Sequence, residues 1–222
     1  MAASLNMAAV LAAWRLIRPA IRHTPLIYSH YLSQVSGASI WLKPENQQPT
    51  GSFKIRGALN KIGLFTAEEK GRGIVAASAG NHALGVAYAA QTWGGIRADI
   101  FVPATAPRAK LDKLRHFDVT LHQAGLTYEA AHQAAAAFAV QTGGIEVSAY
   151  DDVDVVAGQA TIGLEILTDL PQADMILVPV GGGGMVAGVA TVTWALKRAC
   201  QVVGVQPEAS PAALLSLRDG VA

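Results

Sequence analysis

Short apolar runs alternate with longer segments of helical periodicity along most of this 222-residue chain, and this alternation constrains the fold more than any other feature. The strand-like runs are Ile40–Leu42, Ile74–Ala77, Ile100–Val102, Val119–His122, Ile145–Val147, Met175–Val180 and Val202–Val205. The helical segments are Ile55–Leu64, His82–Thr92, Pro107–Phe117, Tyr128–Gln141, Gln159–Asp169 and Met185–Ala199. Repeated strand–helix–strand units favour parallel strands with helices on both faces. The sequence therefore predicts a doubly wound α/β fold.

The composition is that of a chain that can bury a substantial core. Hydrophobic residues make up 51% and charged residues 15%, and the formal net charge is +1. A chain without a basic stripe is a poor partner for nucleic acid or an anionic membrane. The single cysteine, Cys200, fits a reducing compartment. The N-terminal stretch from Met1 lacks a basic signal region and is too short to span a bilayer, so we predict an amphipathic helix ending near Ile17 and a soluble, cytoplasmic protein.

Lys54 stands where a helical pattern begins, within residues 50–58 (Thr-Gly-Ser-Phe-Lys-Ile-Arg-Gly-Ala). The start of a helix carries partial positive charge, so it disfavours an ammonium and favours the neutral amine. A neutral lysine amine is a nucleophile that condenses with carbonyl compounds. Lys54 is therefore a candidate for Schiff-base chemistry. The alternative is an ordinary first-turn lysine that extends into solvent.

Four consecutive glycines, Gly181–Gly184, follow the strand-like run that ends at Val180 and precede the helix that begins at Met185. Glycine costs about 0.5–1 kcal/mol relative to alanine in regular structure, so such a run indicates close approach of the backbone to a ligand. A strand, a glycine loop and a helix start together form a cradle of N–H groups for a phosphate. The alternative is a tight turn without a ligand. No Gly-Lys-Ser/Thr follows, which excludes a nucleoside-triphosphate P-loop.

The same glycine run also permits a nicotinamide-dependent enzyme. Gly182, Gly184 and Ala187 fit the pattern G-x-G-x-x-A, and Glu208 follows the next strand-like run, where an acid could bind a ribose. Any glycine run before an apolar helix produces this pattern, however, and it assigns no role to Lys54.

A second loop, Ser78-Ala-Gly-Asn-His82, follows the run Ile74–Ala77 and opens a helix. Small residues with serine and asparagine at a helix start can bind a carboxylate through exposed N–H groups. Asn81 can also donate a hydrogen bond to a phenolate-type oxygen. The alternative is plain N-capping by Ser78 or Asn81. His82 is more typical of a structural donor than of a base.

A reactive lysine, a phosphate cradle and a donor for a ring oxygen are together what pyridoxal 5′-phosphate (PLP) requires. Five segments of this chain resemble the threonine/serine dehydratase family, which includes serine racemase and belongs to the tryptophan synthase β-type (fold type II) PLP enzymes. They are residues 43–46 (Lys-Pro-Glu-Asn), 50–58, 78–82, 157–165 (Ala-Gly-Gln-Ala-Thr-Ile-Gly-Leu-Glu) and 178–184 (Val-Pro-Val-Gly-Gly-Gly-Gly). The resemblance runs in unbroken order from about His23 to Glu208.

The resemblance implies a set of cofactor-binding residues. Lys54 would bind the cofactor aldehyde and later move the substrate α-proton. Phe53 would flank the cofactor ring, and Asn81 would contact its 3′ oxygen. The phosphate would be held by the glycine loop and the next amide, namely Gly181, Gly182, Gly183, Gly184 and Met185. No metal ligand is implied.

The implied substrates are L-threonine and L-serine, as in isoleucine biosynthesis or threonine catabolism. The substrate carboxylate would be held by the loop residues Ser78, Ala79, Gly80, Asn81 and His82. Abstraction of the α-proton by Lys54 and loss of the β-hydroxyl as water would give an aminoacrylate or aminocrotonate, which hydrolyses to a 2-oxo acid and ammonia. The cofactor phosphate would act as the acid for the departing hydroxyl.

Two positions depart from the family pattern. Family racemases have a second serine as the opposite-face proton carrier where this chain has Ala79, which favours dehydration over racemisation. The family's Ala-Gly-Gln-Gly-Thr is Ala-Gly-Gln-Ala-Thr here, so Ala160 would replace a glycine at a position that tolerates positive φ.

The resemblance also implies two layered units that face a cleft: a large PLP-binding domain (1–71 and 149–222) and a small domain (72–148). Relatives continue beyond Glu208 through a segment with a serine or cysteine beside the pyridine nitrogen and a region near a cation site. We therefore expect a large domain that is incomplete at its C-terminus, with an apolar surface and a strand edge exposed after Val202–Val205. An active dehydratase and a shortened PLP-binding relative with little turnover both stay open. So does a homo-oligomer, because relatives are commonly dimers or tetramers.

Overall fold

The structure, a computed structural model, describes residues 4–220. Its helices are α1 (Met7–Ile17), α2 (His30–Ser36), α3 (Lys54–Gly63), α4 (Ala67–Arg72), α5 (Asn81–Thr92), α6 (Arg108–Leu114), α7 (Tyr128–Thr142), α8 (Val153–Asp169), α9 (Gly184–Leu196) and α10 (Ala212–Asp219). Its strands are β1 (Ile27–Tyr28), β2 (Trp41–Leu42), β3 (Ile74–Ala77), β4 (Ala98–Val102), β5 (Thr120–Gln123), β6 (Ile145–Glu146), β7 (Met175–Pro179) and β8 (Gln201–Val205). Strands and helices alternate strictly from β3 to β8, as predicted. Within residues 4–220, no helix combines the length and apolar character needed to cross a membrane.

Four of the strands form a parallel sheet in the order β5-β4-β3-β6. Ile74 on β3 pairs with Ala98 on one side and with Ile145 on the other. One face of this sheet packs through Ile74 against α5, whereas the opposite face packs through Val75 and Phe101 against α7. A parallel sheet covered by helices on both faces is characteristic of α/β proteins. The α/β fold class is therefore confirmed.

The remaining strands form two separate pairs. β7 and β8 are parallel, with Ile176 beside Val202. β1 and β2 are antiparallel, with Tyr28 opposite Trp41. The prediction of parallel pairing is therefore wrong for the run Ile40–Leu42. Its partner β1 has two residues, too few to show the period-two pattern by which strands are recognised in a sequence.

Capping side chains explain why two helices, α1 and α8, begin at residues other than those predicted. The Asp152 carboxylate accepts hydrogen bonds from the backbone N–H groups of Asp154 and Val155, so α8 begins at Val153 rather than at Gln159. The Asn6 side chain accepts a hydrogen bond from the following turn and sets the start of α1. The start predicted at Met1 lies outside the described residues.

α8 is the central helix of the structure and packs against α1, α3 and α9. Its crossing with α3 is close, because a Cβ on Gly158 would lie 2.5 Å from Arg56 O and 2.7 Å from Gly57 Cα. On the other side, a Cβ on Gly188 of α9 would lie 2.8 Å from Ala160 N. Ala160 is helical and fully buried, and every described residue with positive φ is a glycine. The expectation of positive φ at position 160 is therefore wrong, because this position lies at a close helix crossing.

The β7–β8 pair leaves apolar surface exposed. Met175 and Leu177 on β7 are 51% and 60% exposed, and Val205 on β8 is 50% exposed. On its other side, β8 has no strand partner in the part of the chain that the structure describes. The apolar surface and strand edge expected from the sequence are therefore present.

We expect Gly158→Ala to destabilise the protein by about 1–3 kcal/mol, because the added methyl group would overlap the backbone of α3. The matched control is Gly71→Ala in α4, where no described atom lies within 4 Å of an added Cβ. This control should stabilise by about 0.5–1 kcal/mol through helix propensity. Urea unfolding measures both changes, and equal effects would contradict the close α3–α8 crossing.

Candidate active site

Lys54 is the first residue of α3, and its backbone N–H donates a hydrogen bond to Ser52 Oγ at 3.3 Å. Lys54 Nζ donates a hydrogen bond to Ala149 O at 2.6 Å and lies 5.3 Å from the centre of the Phe53 ring. Burial lowers the pKa of the Lys54 amine. The lysine is therefore held inside the structure, not extended into solvent, and its environment favours the neutral nucleophilic form.

The loop of residues 78–82 connects β3 to α5. Ser78 Oγ accepts a hydrogen bond from Gly80 N at 3.1 Å. Gly80 is the N-cap residue of α5, and within residues 4–220 no side chain caps this helix. The alternative of plain N-capping by Ser78 or Asn81 is therefore wrong. The first backbone N–H groups of α5 are left for a ligand.

His82 has a structural partner. Its side chain is buried, and its Nε2 lies 2.8 Å from Val147 O. Because a carbonyl oxygen can only accept, Nε2 carries the hydrogen and donates a hydrogen bond to this oxygen. Burial, together with the nearby charge of Lys54, lowers the pKa of His82 to about 4, although the hydrogen bond to Val147 raises it. The imidazole is therefore neutral at physiological pH. This position agrees with the expectation of a structural donor.

The glycine run forms the turn from β7 into α9. Gly183 has a φ of +87° and is the N-cap residue of α9, which no described side chain caps. A Cβ on Gly182 would collide with the Tyr150 ring, and one on Gly184 would lie 2.9 Å from Tyr150 O. No described atom lies within 4 Å of a Cβ added at Gly181. The loop is thus confined by Tyr150 on one side and open elsewhere, as a cradle requires.

The helix starts differ in how their first backbone N–H groups are bonded. N-cap side chains cap five helices: Asn6 caps α1, Ser29 caps α2, Thr66 caps α4, Thr127 caps α7 and Asp152 caps α8. Ser52 Oγ accepts a hydrogen bond from Lys54 N at the start of α3, and Gln206 Oε1 accepts one from Leu214 N at the start of α10. Among the described residues, no side chain caps α5, α6 or α9, and loss of a side-chain cap costs about 1 kcal/mol. Two of the helices that begin at predicted motifs, α5 and α9, therefore have open, electropositive starts.

The short segment Val147–Tyr150 contacts all three motifs. Val147 O accepts the hydrogen bond from His82, and Ala149 O accepts the one from Lys54. Tyr150 lies against Gly182 and Gly184. No function is predicted for this segment from the sequence. The one available signal was its position just after a predicted strand, where parallel sheets bind ligands.

A buried ionic network holds the helix that carries Lys54. Arg56, in the first turn of α3, is fully buried. Its guanidinium donates to both carboxylate oxygens of Glu45, to both of Glu165, and to the Thr161 hydroxyl, over distances of 2.7–3.1 Å. All five N–H donors of the arginine thus have an acceptor. Lys43 Nζ adds a contact of 2.7 Å to Glu165.

The charges of this network are balanced within it. Burial would lower the pKa of Arg56, but the hydrogen bonds that it donates to Glu45 and Glu165, and the negative charges of these carboxylates, raise it above its ordinary value. Burial would raise the pKa of Glu165, but the hydrogen bonds and charge of Arg56, with Lys43, lower it. The network therefore stays ionised and fixes the position of α3 relative to α8 and to the segment before α3.

Two cavities border the motifs. One, of about 260 Å³, is lined by Ala79, Gly80, Asn81, Leu84, Lys110 and Lys113. The other, of about 150 Å³, is lined by Ala77, Tyr128, His132 and residues 146–151. The first cavity therefore adjoins the open start of α5, and the second adjoins the carbonyl that binds Lys54.

These features fit PLP. A partly buried amine with a lowered pKa suits condensation with an aldehyde, and the open start of α9 behind an unobstructed glycine suits a phosphate. In the nicotinamide hypothesis, Glu208 would bind a ribose, but this residue lies in an exposed turn after β8 and the Lys54 site would have no use. The geometry thus favours PLP.

Comparison with known proteins identifies the family. The family described as "Pyridoxal-phosphate dependent enzyme" matches residues 17–221. The chain belongs to this family, and PLP is the family's cofactor.

The chain is similar to threonine-degrading enzymes. It is 47% identical over 208 residues to the L-threonine ammonia-lyase of Thermotoga maritima, which covers 94% of this chain and 52% of that protein. It is 47% identical over 193 residues to a catabolic L-threonine dehydratase of Staphylococcus aureus, which covers 86% of this chain and 56% of that protein. This chain thus spans about half the length of the curated relatives it matches.

Solved structures of two other proteins superpose closely on this chain. The processed form of threonine deaminase isoform 2 from Solanum lycopersicum superposes with a TM-score of 0.90 at 34% identity, covering 97% of this chain and 58% of that one. Maize serine racemase superposes with a TM-score of 0.94 at 29% identity, covering 99% and 66%.

We expect Glu165→Gln to destabilise the protein by about 3–5 kcal/mol, because it leaves the buried Arg56 guanidinium with one counter-charge fewer. The matched control is Asp112→Asn, which breaks an exposed pair with Arg115 and should cost less than about 0.5 kcal/mol. Chemical denaturation compares the two. Similar costs would show that the buried network does not anchor α3.

Substitutions at two lysines, Lys54 and Lys61, are expected to change the free energy of unfolding in opposite directions. The folded-state pKa of Lys54 lies below its ordinary value of 10.5, so the charged form opposes folding, and Lys54→Met should stabilise the protein at pH 7. This gain should fade as the pH approaches 10.5. Burial would lower the pKa of Lys61, but the hydrogen bonds that it donates to Asp152 and Asp154, and the charges of these carboxylates, raise it, so Lys61→Met should destabilise the protein at pH 7. The contribution of Lys61 is lost as the pH rises through its raised pKa. Urea unfolding at pH 7 and pH 10 tests both signs, and the same sign for both variants would contradict the assignment.

Proposed function

We propose that this chain carries the reactive lysine of a threonine ammonia-lyase, which converts L-threonine into 2-oxobutanoate and ammonia, and L-serine into pyruvate and ammonia. The observation that carries the proposal is the position of Lys54: a partly buried amine in the first turn of α3, bonded to a segment that also contacts the glycine loop and His82. The similarity to threonine ammonia-lyases over most of the chain supports it.

The proposed cofactor site uses the residues around Lys54 and the glycine loop. PLP, when bound, supplies an aldehyde that links to an amine and a ring that accepts the electron pair left by loss of an α-proton. Lys54 would hold the cofactor through its amine, and Phe53 would flank the ring. Asn81 would donate to the 3′ oxygen. The phosphate would be held by the backbone N–H groups of the glycine loop and the next residue, namely Gly181, Gly182, Gly183, Gly184 and Met185.

The proposed substrate site is the open start of α5. Its backbone N–H groups, together with the Ser78–His82 loop, hold the α-carboxylate, while the buried bond from His82 to Val147 keeps the loop in place. The Lys54 amine, whose pKa is lowered by burial, would take the α-proton. In this process the Cα–H and Cβ–O bonds of L-threonine break, and the water released at Cβ is consumed when the C–N bond is hydrolysed, so no further reactant is needed.

Ala79 favours elimination over racemisation. Its methyl side chain cannot deliver a proton to the opposite face of the substrate, so loss of the β-hydroxyl would be the route that follows removal of the α-proton. L-Threonine dehydration without racemisation is therefore the proposed specificity.

The proposed organisation has two units, a small domain of residues 72–148 built on the four-stranded sheet and a large domain of residues 1–71 and 149–222 that carries Lys54 and the glycine loop. The exposed apolar face of β7–β8 favours a second candidate function, PLP binding with little turnover until that face is covered. We also propose that the protein is cytoplasmic and forms a homo-oligomer.

The central experiment adds PLP to the purified protein. We expect the yellow absorbance of lysine-bound PLP, its loss in Lys54→Ala, and its retention in the control Lys70→Ala on α4. Release of ammonia and 2-oxobutanoate from L-threonine then separates turnover from binding alone.

The outcomes distinguish the candidates. Absorbance with product release supports the ammonia-lyase, and absorbance without product supports the second candidate. Absorbance that survives Lys54→Ala would overturn both.

A further inference from the structure

Tyr150 lies against the glycine loop without belonging to a hydrophobic core. It is 44% exposed. Even so, a Cβ on Gly182 would collide with three atoms of its ring, and a Cβ on Gly184 would lie 2.9 Å from its backbone oxygen and 3.2 Å from its Cα. The half-exposed Tyr150 ring thus contacts Gly182, and the backbone of Tyr150 contacts Gly184. Core packing does not explain these contacts.

The peptide unit between Ala149 and Tyr150 links this contact to the lysine. Its carbonyl oxygen accepts the hydrogen bond from Lys54 at 2.6 Å. Its N–H, which belongs to Tyr150, donates to Ser148 Oγ at 3.4 Å. Because a peptide unit is planar and rigid, a displacement of Tyr150 turns the carbonyl that faces Lys54. The glycine loop and the lysine amine are therefore connected through one rigid group.

The glycine loop itself offers a matched pair of positions. Gly181 and Gly182 are neighbours, and neither is among the described glycines with positive φ. The φ angle therefore does not disfavour alanine at either position. They differ in what an added methyl group would meet: the Tyr150 ring at Gly182, and no described atom within 4 Å at Gly181. The pair thus separates the effect of Tyr150 from any general effect of substituting a loop glycine.

We propose that Tyr150 is a positioning residue that sets the shape of the glycine loop and, through the Ala149 carbonyl, the state of the Lys54 amine. The ligand class is the phosphate group of PLP, so this inference rests on the proposed function. Tyr150 touches neither reacting atom in this role. Its ring fixes the loop from one side, while the peptide unit that it shares with Ala149 holds the lysine from the other.

A double-mutant cycle tests the contact between Tyr150 and Gly182. We expect Gly182→Ala to weaken PLP binding about tenfold, and this loss to shrink in the Tyr150→Ala background, where the ring that it would strike is gone. The same cycle with Gly181→Ala is the control and should be additive. The free energy of unfolding of the cofactor-free protein should show the same coupling at Gly182 and none at Gly181.

A second readout follows the lysine. The NMR titration of Lys54 in the cofactor-free protein should shift in Tyr150→Ala, and Tyr150→Phe, which keeps the ring, should restore the wild-type titration. A purely structural role for Tyr150 would change the unfolding midpoint without moving this titration.

The outcomes separate the two proposals. If wild-type protein fails to bind PLP, the proposed function fails, and the unfolding cycle and the Lys54 titration still decide the role of Tyr150. If PLP binds but the Gly182 cycle is additive and the Lys54 titration is unchanged, the positioning role of Tyr150 is overturned.

Discussion

The buried guanidinium of Arg56 is the group on which the arrangement of the molecule depends. A charge in a protein interior is strongly unfavourable unless it is paired and its hydrogen bonds are satisfied. Here Glu45 and Glu165 satisfy both conditions, and they come from the segment before α3 and from α8. Three parts of the chain are thereby fixed to one planar group, and Lys54 lies in the same helical turn. The Lys54 amine is placed by this network, to which it contributes no bond.

The sequence predicted much of this structure, because the predicted features have local signals. The alternation of strands and helices and the glycine run were visible directly, and Lys54 was conspicuous at its helix start. The pairing of Arg56 with Glu45 and Glu165 was not predictable from spacing, since the carboxylates are far from it along the chain. The same holds for the Val147–Tyr150 segment, which acts mainly through backbone carbonyls that any residue type supplies. The prediction at Ala160 was wrong because a glycine in a family pattern indicates a need for small size as readily as a need for positive φ.

The surroundings of the lysine are dominated by neutral groups and backbone dipoles. His82 stays uncharged because burial and the neighbouring lysine both oppose its protonation. The nearest bonded partner of the amine is a carbonyl oxygen, not a carboxylate. A carboxylate would raise the pKa of the lysine, whereas burial in these surroundings lowers it. This design contrasts with Lys61 on the same helix, which meets two carboxylates and remains a structural cation.

The uncapped starts of α5 and α9 have a consequence for the folding of the chain. Each of these two helices forgoes a side-chain bond worth about 1 kcal/mol, which a bound anion would replace. A phosphate at one start and a carboxylate at the other would complete the hydrogen bonding of both helices as well as occupy a site. The free energy of unfolding would then rise with the concentration of these ligands.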